Sequence, residues 1–283
     1  MSTWRVGSHQ LRAMAARRRA RTDRRDRVAR PRTGAARAEC AVDQRSWHRR
    51  DTRPPRTGEL MKIGIIGAGN IGGNLTRRLT ALGHEVSVAN SRGPATLTAL
   101  AEETGATPVT VAEAARGARI VVVTVPFKNI PDLPAGLFDG AADGFSVIDT
   151  GNYYPQQRDG RIAGVEDEGL TESRWTERHL GHPVIKAFNG TFAQDIVERP
   201  LPAGSADRIA LPVAGDDETA KAAVRALIDE LGFDTVDAGG LDDSWRQQPD
   251  TPVYGLRDGV DGRPAGVPRE VPPRRQCHIP ISA

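Results

Sequence analysis

Apolar and polar residues follow a regular pattern between residues 61 and 245 that predicts alternating strands and helices. Short apolar runs bounded by Gly, Pro or polar residues are typical of buried strands. They predict strands in KIGIIG (62–67), EVSVAN (85–90), ATPVT (106–110), IVVVTVP (120–126), FSVIDTGN (145–152), PVIKAFN (183–189), RIALPVAG (208–215) and DTVDAG (234–239). The continuous apolar run in IVVVTVP further predicts a strand that is covered on both faces.

Apolar residues spaced three or four positions apart predict helices between these strands. The segment 70–83 places apolar side chains on one helical face and ends at a glycine. Further helices are predicted for 94–105, where a proline suits the first turn, for 111–117 and for 217–232. The apolar face of the first helix consists of Ile71, Leu75, Leu79 and Leu82.

This alternation predicts an α/β fold with a doubly wound parallel sheet and right-handed crossovers. We expect a main nucleotide-binding domain at 61–190 and a small appended α/β portion at 191–245. In such a sheet a ligand binds beyond the carboxyl ends of the strands, near the point where the strand order reverses. Residues that directly follow the strands are therefore the first candidates for a site.

Charge is divided unevenly along the chain. Residues 1–60 contain 17 Arg and six acidic residues, a net charge of +11, whereas residues 61–283 contain 22 basic and 30 acidic residues, a net charge of −8. The Arg-rich leader lacks apolar periodicity and the apolar core of a signal sequence, so we expect it to be disordered. Three interpretations stay open: an extension upstream of a natural start at Met61, a genuine disordered extension, or an arm that binds nucleic acid through phosphate.

Composition narrows the class of protein further. No apolar run approaches the length of a membrane span. Cys40 and Cys277 lie in segments expected to be irregular, which gives no basis for a disulfide framework or a metal site. We therefore expect a cytoplasmic protein without a metal. Residues 246–283 are rich in Gly, Pro and Arg and predict an irregular tail.

The most informative motif is GAGNIG, which has the G-x-G-x-x-G spacing of a dinucleotide-binding turn. Gly67 allows the tight turn, Gly69 lets the backbone approach a pyrophosphate, and Gly72 lets helix and strand pack closely. The start of the helix also presents amide N–H groups to that pyrophosphate. The motif alone would fit a purely structural turn, but here it follows a predicted strand and opens an amphipathic helix, which favours a nucleotide site.

The segment VANSRGP follows the second predicted strand, where many dinucleotide-binding folds place an acidic residue that binds a ribose hydroxyl. An acid would repel a 2′-phosphate. Ser91 can instead donate a hydrogen bond to that phosphate, and Arg92 can form a charge-assisted pair with it. The sequence therefore favours NADP over NAD. The alternative is that Arg92 is an ordinary solvated loop residue.

Polar residues and a proline end the later strands. In TVPF, Val125 and Pro126 leave the sheet where a nicotinamide should lie, although Pro126 could also serve only to end the strand. DTGNYY offers Asn152, whose side chain could reach the cleft. KAFNG offers Lys186 and Asn189, for which a role in the site and a role in capping the backbone both stay open.

Taken together, MKIGIIGAGNIGGNL, VANSRGP, VVVTVPF, VIDTGNYY and VIKAFN resemble, in this order, the NADPH-dependent coenzyme F420 reductase family (NADP oxidoreductase, coenzyme F420-dependent). The resemblance covers residues 61–254 and implies a Rossmann-type domain with a small appended α/β portion. It also implies hydride transfer between NADPH and the 5-deazaflavin F420, which would be the substrate. By position it assigns nucleotide binding to Gly67, Gly69, Asn70, Ile71, Ser91, Arg92 and Pro126.

The sequence departs from that pattern at both ends. The Arg-rich leader is foreign to it, and a Gly/Pro/Arg tail replaces the closing helix expected after TPVYG. No catalytic residue is assigned, because the cofactors carry the hydride chemistry. The complete set of predicted cofactor-binding residues is Gly67, Gly69, Asn70, Ile71, Gly72, Ser91, Arg92, Val125, Pro126 and Asn189.

Two other functions stay open. One is NADPH-dependent reduction of another small acceptor, such as an imine, a hydroxyacid or a ferric chelate, although the chain after KAFN barely has room for the large helical domain usual in such enzymes. The other is a non-enzymatic NADPH-binding sensor with an Arg-rich arm for nucleic acid. We expect a small-molecule redox substrate as the partner, with neither a membrane nor a nucleic acid, and a homodimer is compatible with the sequence.

Overall fold

The computed structural model describes residues 58–260. Residues 1–57 and 261–283 lie outside the described part of the chain. The predictions made for the Arg-rich leader, for Cys40 and Cys277 and for the end of the tail fall on those residues. All described residues belong to one of the two units into which the chain divides, His48–Ala283.

Every predicted strand is present. The strands are β1 (Lys62–Ile66), β2 (Glu85–Ala89), β3 (Thr107–Pro108), β4 (Ile120–Val123), β5 (Ser146–Asp149), β6 (Ile185–Lys186), β7 (Ala210–Val213) and β8 (Asp234–Asp237). The α-helices are α1 (Asn70–Ala81), α2 (Thr98–Thr104), α3 (Ala163–Glu166), α4 (Glu172–Leu180), α5 (Asp195–Glu198) and α6 (Glu218–Glu230). Shorter 3₁₀ helices lie at Pro94–Leu97, Val111–Glu113, Phe127–Asp132 and Leu241–Gln247, and a π-helical turn at Pro155–Asp159.

The first six strands form one parallel sheet in the order β3-β2-β1-β4-β5-β6. In the register of β1, Ile65 pairs with Val88 of β2 on one side and with Val122 of β4 on the other. The strand order reverses between β1 and β4, so the switch point lies at the carboxyl ends of these two strands. The predicted doubly wound, Rossmann-type fold is therefore confirmed.

Both faces of this sheet are buried, which explains the continuous apolar run of β4. On one face, the apolar residues of α1 pack against β1, β2 and β4; Leu75 and Leu79 are buried there, and Ile71 and Leu82 are partly buried. On the other face, Phe127 stacks on Trp175 of α4 with ring centroids 4.4 Å apart. The sheet is thus held between two hydrophobic layers.

The strands β7 and β8 form a separate parallel pair connected through α6. Asp217 caps the start of α6 by accepting hydrogen bonds from the amides of Thr219 and Ala220 at 2.8 and 3.0 Å. A backbone bridge between Lys186 and Ala214 joins β6 to the segment after β7. This contact joins residues on either side of the domain boundary predicted at residue 190. The boundary itself stays a prediction.

Two predicted helices differ from the structure. The helix predicted for 94–105 begins as a 3₁₀ turn, because Thr96 donates its side-chain hydrogen bond back to the Gly93 carbonyl at 2.8 Å and tightens the first turn. The helix predicted for 111–117 is only the 3₁₀ turn Val111–Glu113. Among the described residues, no helix is both long and apolar enough to cross a membrane.

Candidate functional site

The parallel strands of the large sheet end side by side, and we call this border the carboxyl edge. The strand pairing continues one residue past the strands, since Gly67 donates its N–H to Ala89 and Thr124 donates to Ile66, both at 2.8 Å. The same pattern joins the ends of β4, β5 and β6. Residues that follow β1, β2 and β4 are consequently neighbours in space, as the sequence pattern predicts.

The glycine turn after β1 has two glycines that packing requires and one that packing does not. Gly67 has φ +110°, and a Cβ there would lie 2.2 Å from the Thr124 carbonyl oxygen. A Cβ on Gly72 would lie 1.9 Å from the Gly67 carbonyl oxygen. Around Gly69, in contrast, a Cβ would meet no described atom within 4 Å. A purely structural turn therefore explains Gly67 and Gly72 but leaves Gly69 unexplained.

The start of α1 offers backbone donors at the same place, and the described residues supply no side-chain cap for them. Gly69 is the N-cap and provides no side-chain hydrogen bond, and the first turn contains no acidic residue. The first amides of a helix have no partner within the helix, and the helix dipole adds a partial positive charge there. Asn70 is exposed, whereas the side chain of Ile71 packs against the core, so only the backbone of Ile71 can serve a ligand.

The turn after β2 is organised by Asn90. Its Oδ1 accepts a hydrogen bond from the Arg92 amide at 2.9 Å, and its Nδ2 donates to Thr96 Oγ1 at 2.9 Å. This arrangement is an Asx turn, which fixes the backbone. The side chains of Ser91 and Arg92 are exposed, and no side chain within residues 58–260 pairs with the Arg92 guanidinium. The turn therefore presents a hydroxyl and an uncompensated positive charge beside the glycine turn.

The segment after β4 lies directly against the glycine turn. The Thr124 carbonyl faces Gly67, and Val125 and Pro126 follow it into the 3₁₀ helix Phe127–Asp132. Pro126 is exposed and Val125 is partly buried. These two residues thus border the switch point, whereas Asn189 lies two strands further along the sheet, at the end of β6.

Asn189 forms a reciprocal pair with Asn152. Asn152 Nδ2 donates to the Asn189 carbonyl at 2.8 Å, and Asn189 Nδ2 donates to Asn152 Oδ1 at 3.1 Å and to the Gln247 carbonyl at 2.6 Å. Asn189 is 4% exposed, and its Oδ1 has no hydrogen-bond partner among the described residues. The preceding Phe188 is buried with φ 64°, a backbone conformation that a bulky residue adopts only under constraint. Asn189 is therefore held firmly and has one acceptor atom left unused.

Lys186 is fully buried and unavailable to a ligand. Its Nζ donates to the Gly151 carbonyl at 2.6 Å and lies 3.3 Å from Glu172 Oε2 and 3.6 Å from Asp149 Oδ2. Ser173 Oγ donates to the same Asp149 oxygen at 2.6 Å. Burial raises the pKa of the Glu172 carboxyl to about 7, although the nearby Lys186 charge acts in the opposite direction. This buried cluster ties α4 and β6 to the turn after β5.

A second polar cluster lies at the carboxyl edge, and of its members the sequence pattern indicates only Asn152. The hydroxyls of Tyr154 and Tyr254 hydrogen-bond to each other, and Asn152 Nδ2 lies 3.3 Å from the Tyr254 hydroxyl. Asp159 accepts hydrogen bonds from the Tyr154 amide at 2.8 Å and from Arg158 Nε at 2.9 Å. Burial opposes ionisation of Asp159, but its hydrogen bonds from Arg158 and from backbone amides lower the pKa of this carboxyl. We call Asn152, Tyr154, Arg158 and Tyr254 the tyrosine cluster.

A parallel sheet with an open glycine turn at its switch point and a basic residue after the second strand defines a dinucleotide-binding protein of the Rossmann type. The family model described as NADP oxidoreductase, coenzyme F420-dependent, matches residues 62–153. This match covers the glycine turn, the Ser–Arg pair and the ends of β4 and β5.

Solved structures extend the similarity beyond that segment. A hypothetical protein of Sinorhizobium meliloti is 30% identical with a TM-score of 0.58, and the alignment covers 70% of this chain and 94% of that protein. A protein of Arthrobacter sp. FB24, proposed to be an F420-dependent NADP reductase, is 26% identical with a TM-score of 0.51, over 65% of this chain and 87% of that protein. The Escherichia coli (strain K12) protein YjhV is 48% identical over 54 residues, which span only 19% of this chain and 39% of YjhV.

The chain matches the family of coenzyme F420-dependent NADP oxidoreductases over residues 62–153, and its similarity to the Arthrobacter protein extends beyond that segment. Its class is that of the NADP-dependent oxidoreductases, and the resemblance inferred from the sequence is confirmed.

Proposed function

We propose that this chain transfers a hydride between NADP(H) and a deazaflavin acceptor of the F420 type. The observation that carries the proposal is the Arg92 guanidinium, which has no partner among residues 58–260, beside a glycine turn whose middle glycine meets no described atom within 4 Å. A 2′-phosphate and a pyrophosphate are the two anionic groups that such donors would bind in NADP. The acceptor is supported by the family description and by the Arthrobacter relative.

The residues at the carboxyl edge fit the parts of NADP in order. Arg92 and Ser91 would hold the 2′-phosphate at the end of β2, and Gly69 with the first amides of α1 would hold the pyrophosphate. The end of β4 lies two strand spacings from β2, or roughly 10 Å, so Val125 and Pro126 would border the nicotinamide half. Asn189 lies at the end of β6 with its Oδ1 buried and without a hydrogen-bond partner among the described residues, and its role in holding the nicotinamide half stays a prediction.

The chemistry divides between cofactor and protein. When bound, NADPH supplies the hydride. The side chains of this chain would bind and orient the two reactants, and holding the reacting rings in contact removes much of the entropic cost of their encounter. No protein nucleophile is needed for such a transfer. The cytoplasmic location, the absence of membrane and nucleic-acid partners and the homodimer stay predictions.

Nucleotide selection by Arg92 tests the proposal directly. Arg92→Ala should weaken NADPH binding by about 1–3 kcal/mol, the usual contribution of a charged hydrogen bond, which is roughly a 5- to 150-fold increase in Kd. NADH binding should change little, because NADH has no 2′-phosphate. Fluorescence titration of both nucleotides measures these effects.

Arg116→Ala is a matched control, because Arg116 is also an exposed arginine but precedes β4, at the opposite edge of the sheet. It should leave both affinities unchanged. Equal losses for NADPH and NADH in Arg92→Ala would contradict the assignment of Arg92. An acceptor screen with F420, a cyclic imine, a 2-oxoacid and a ferric chelate, followed by NADPH absorbance, then tests the acceptor; turnover of any of the others but not of F420 would contradict it.

A further inference from the structure

We propose that the tyrosine cluster forms the acceptor side of the site, and that its paired hydroxyls donate the proton that accompanies hydride transfer. The inference rests on the proposed function and goes beyond it, because it names the groups that serve the acceptor. The matching acceptor class is a flat, conjugated heterocycle whose reduced form gains both a hydride on carbon and a proton on nitrogen or oxygen.

The position of the cluster fits this role. Tyr154 lies five residues after the end of β5, at the carboxyl edge. Tyr254 comes from the segment 248–260, which contains neither helix nor strand but packs back onto the body, with Val253 buried. Asn152 connects Tyr254 to Asn189, the residue with the unused acceptor atom. The two hydroxyls are therefore linked by hydrogen bonds to Asn189, the residue predicted for the nicotinamide side of the site.

Counting protons shows that the pair has one to donate. Two neutral phenols carry two hydroxyl protons, and a hydrogen bond between them uses one. The contact with Asn152 supplies a further donor to Tyr254 and consumes no phenolic proton, since the amide Nδ2 is the donor. Within residues 58–260, neither hydroxyl donates to any other acceptor. One O–H group is thus available to a bound molecule.

The surroundings keep this proton on the hydroxyl pair and hold a cation beside the Tyr154 ring. Burial, followed by the hydrogen bond shared with Tyr154, raises the pKa of the Tyr254 hydroxyl and so favours its neutral, protonated form. The Arg158 guanidinium carbon lies 5.1 Å from the centre of the Tyr154 ring, a distance at which cation and ring attract each other. Asp159 and the Asn152 carbonyl fix Arg158 in this position.

The proposed step balances in atoms and charge. As a C–H bond forms on the acceptor carbon and NADPH becomes NADP⁺, negative charge develops on the nitrogen or oxygen conjugated with that carbon. The phenol O–H bond breaks, and its proton moves to that atom. The phenolate, next to Arg158, recovers a proton from water.

The chain contains three tyrosines, all in this region, and they provide a matched set of variants. Tyr154→Phe and Tyr254→Phe remove one hydroxyl of the pair each. Tyr153→Phe is the control, because the Tyr153 hydroxyl bonds to the Gly160 carbonyl at 2.8 Å and to Glu166 Oε1 at 2.6 Å, outside the cluster. It should lower the melting temperature and leave turnover unchanged.

Three readouts are compared for each variant: Kd for NADPH and for oxidised F420 by fluorescence, the single-turnover rate of F420 reduction, and its pH profile. Loss of a proton donor should slow reduction by roughly 100-fold or more, with NADPH affinity within about twofold of wild type. The residual rate should fall as pH rises, because hydronium then supplies the proton; a structural defect alone would not produce this profile.

The outcomes separate this inference from the proposed function. Wild-type protein that fails to bind NADPH would refute both. Normal NADPH binding, with F420 reduced as fast by Tyr154→Phe and Tyr254→Phe as by wild type, would refute the role of the tyrosine cluster alone. Slowing by Tyr153→Phe to the same extent, with the same pH profile, would also refute it.

Discussion

Replacing Gly69 by alanine separates a ligand requirement from a packing requirement in the glycine turn. The backbone of Gly69, with φ −78° and ψ −161°, lies in a region that alanine adopts readily. No described atom lies within 4 Å of the added methyl group. The free energy of unfolding should therefore stay within about 0.5 kcal/mol of wild type, as for an ordinary surface substitution.

The same methyl group should weaken NADPH binding, because it would occupy the space through which a pyrophosphate approaches the backbone. Crowding by one methyl group costs about 1–3 kcal/mol, which corresponds to a Kd for NADPH raised roughly 5- to 150-fold. Urea unfolding and fluorescence titration of the same preparation measure the two quantities.

Gly72→Ala should give the opposite result and is the control. Its Cβ would lie 1.9 Å from the Gly67 carbonyl oxygen and 2.7 Å from Thr124 Cγ2, so the turn or the helix must shift. A loss of stability of about 1–3 kcal/mol or more is expected. Gly69→Ala protein that binds NADPH like wild type would refute the reasoning, since the open space at Gly69 would then have no ligand to explain it.

Two further predictions concern stability. Because burial raises the Glu172 pKa from 4.5 to about 7, this group stabilises the fold most below pH 4.5 and the contribution is lost as pH rises through 7. Glu172→Gln should reduce the fall in the free energy of unfolding between about pH 5 and pH 8, by at most roughly 3 kcal/mol as measured by urea unfolding. The same dependence of this free energy on pH in the variant and in wild type would contradict the prediction. Asp217→Ala should cost about 1 kcal/mol through loss of the α6 cap, whereas Asp217→Asn, which keeps an acceptor oxygen, should cost less; equal losses would argue against capping.

The sequence predicts best those helices and strands whose buried side chains are apolar. β4 consists of four consecutive apolar residues, all of them buried. In α1, Leu75 and Leu79 lie on the helical face that packs against the sheet. The site residues of the glycine turn and of the Ser–Arg pair are equally local, since each motif occupies a few consecutive positions. Pattern reasoning therefore finds the nucleotide side of the site.

Other features depend on contacts between distant residues and leave no local pattern. The sequence pattern does not predict α4, because its buried face includes Glu172, Ser173 and Thr176, polar residues that are typical of an exposed surface. Tyr154 and Tyr254 are 100 positions apart and acquire a common role only where the chain after residue 248 returns to the carboxyl edge. The acceptor side of the site is thus determined by tertiary structure.

Lys186 shows how these two kinds of information combine. The sequence leaves its role open, and the structure places its ammonium group among Asp149, Glu172 and the Gly151 carbonyl, where each carboxylate would otherwise be a buried charge without a cation. Buried ion pairs add little net stability, but removing one partner is costly. The principal effect of Lys186 is therefore on position: it joins β6, α4 and the turn that carries Asn152, so the ends of β5 and β6 keep a fixed spacing. That spacing sets where Asn189 and the tyrosine cluster lie relative to the glycine turn.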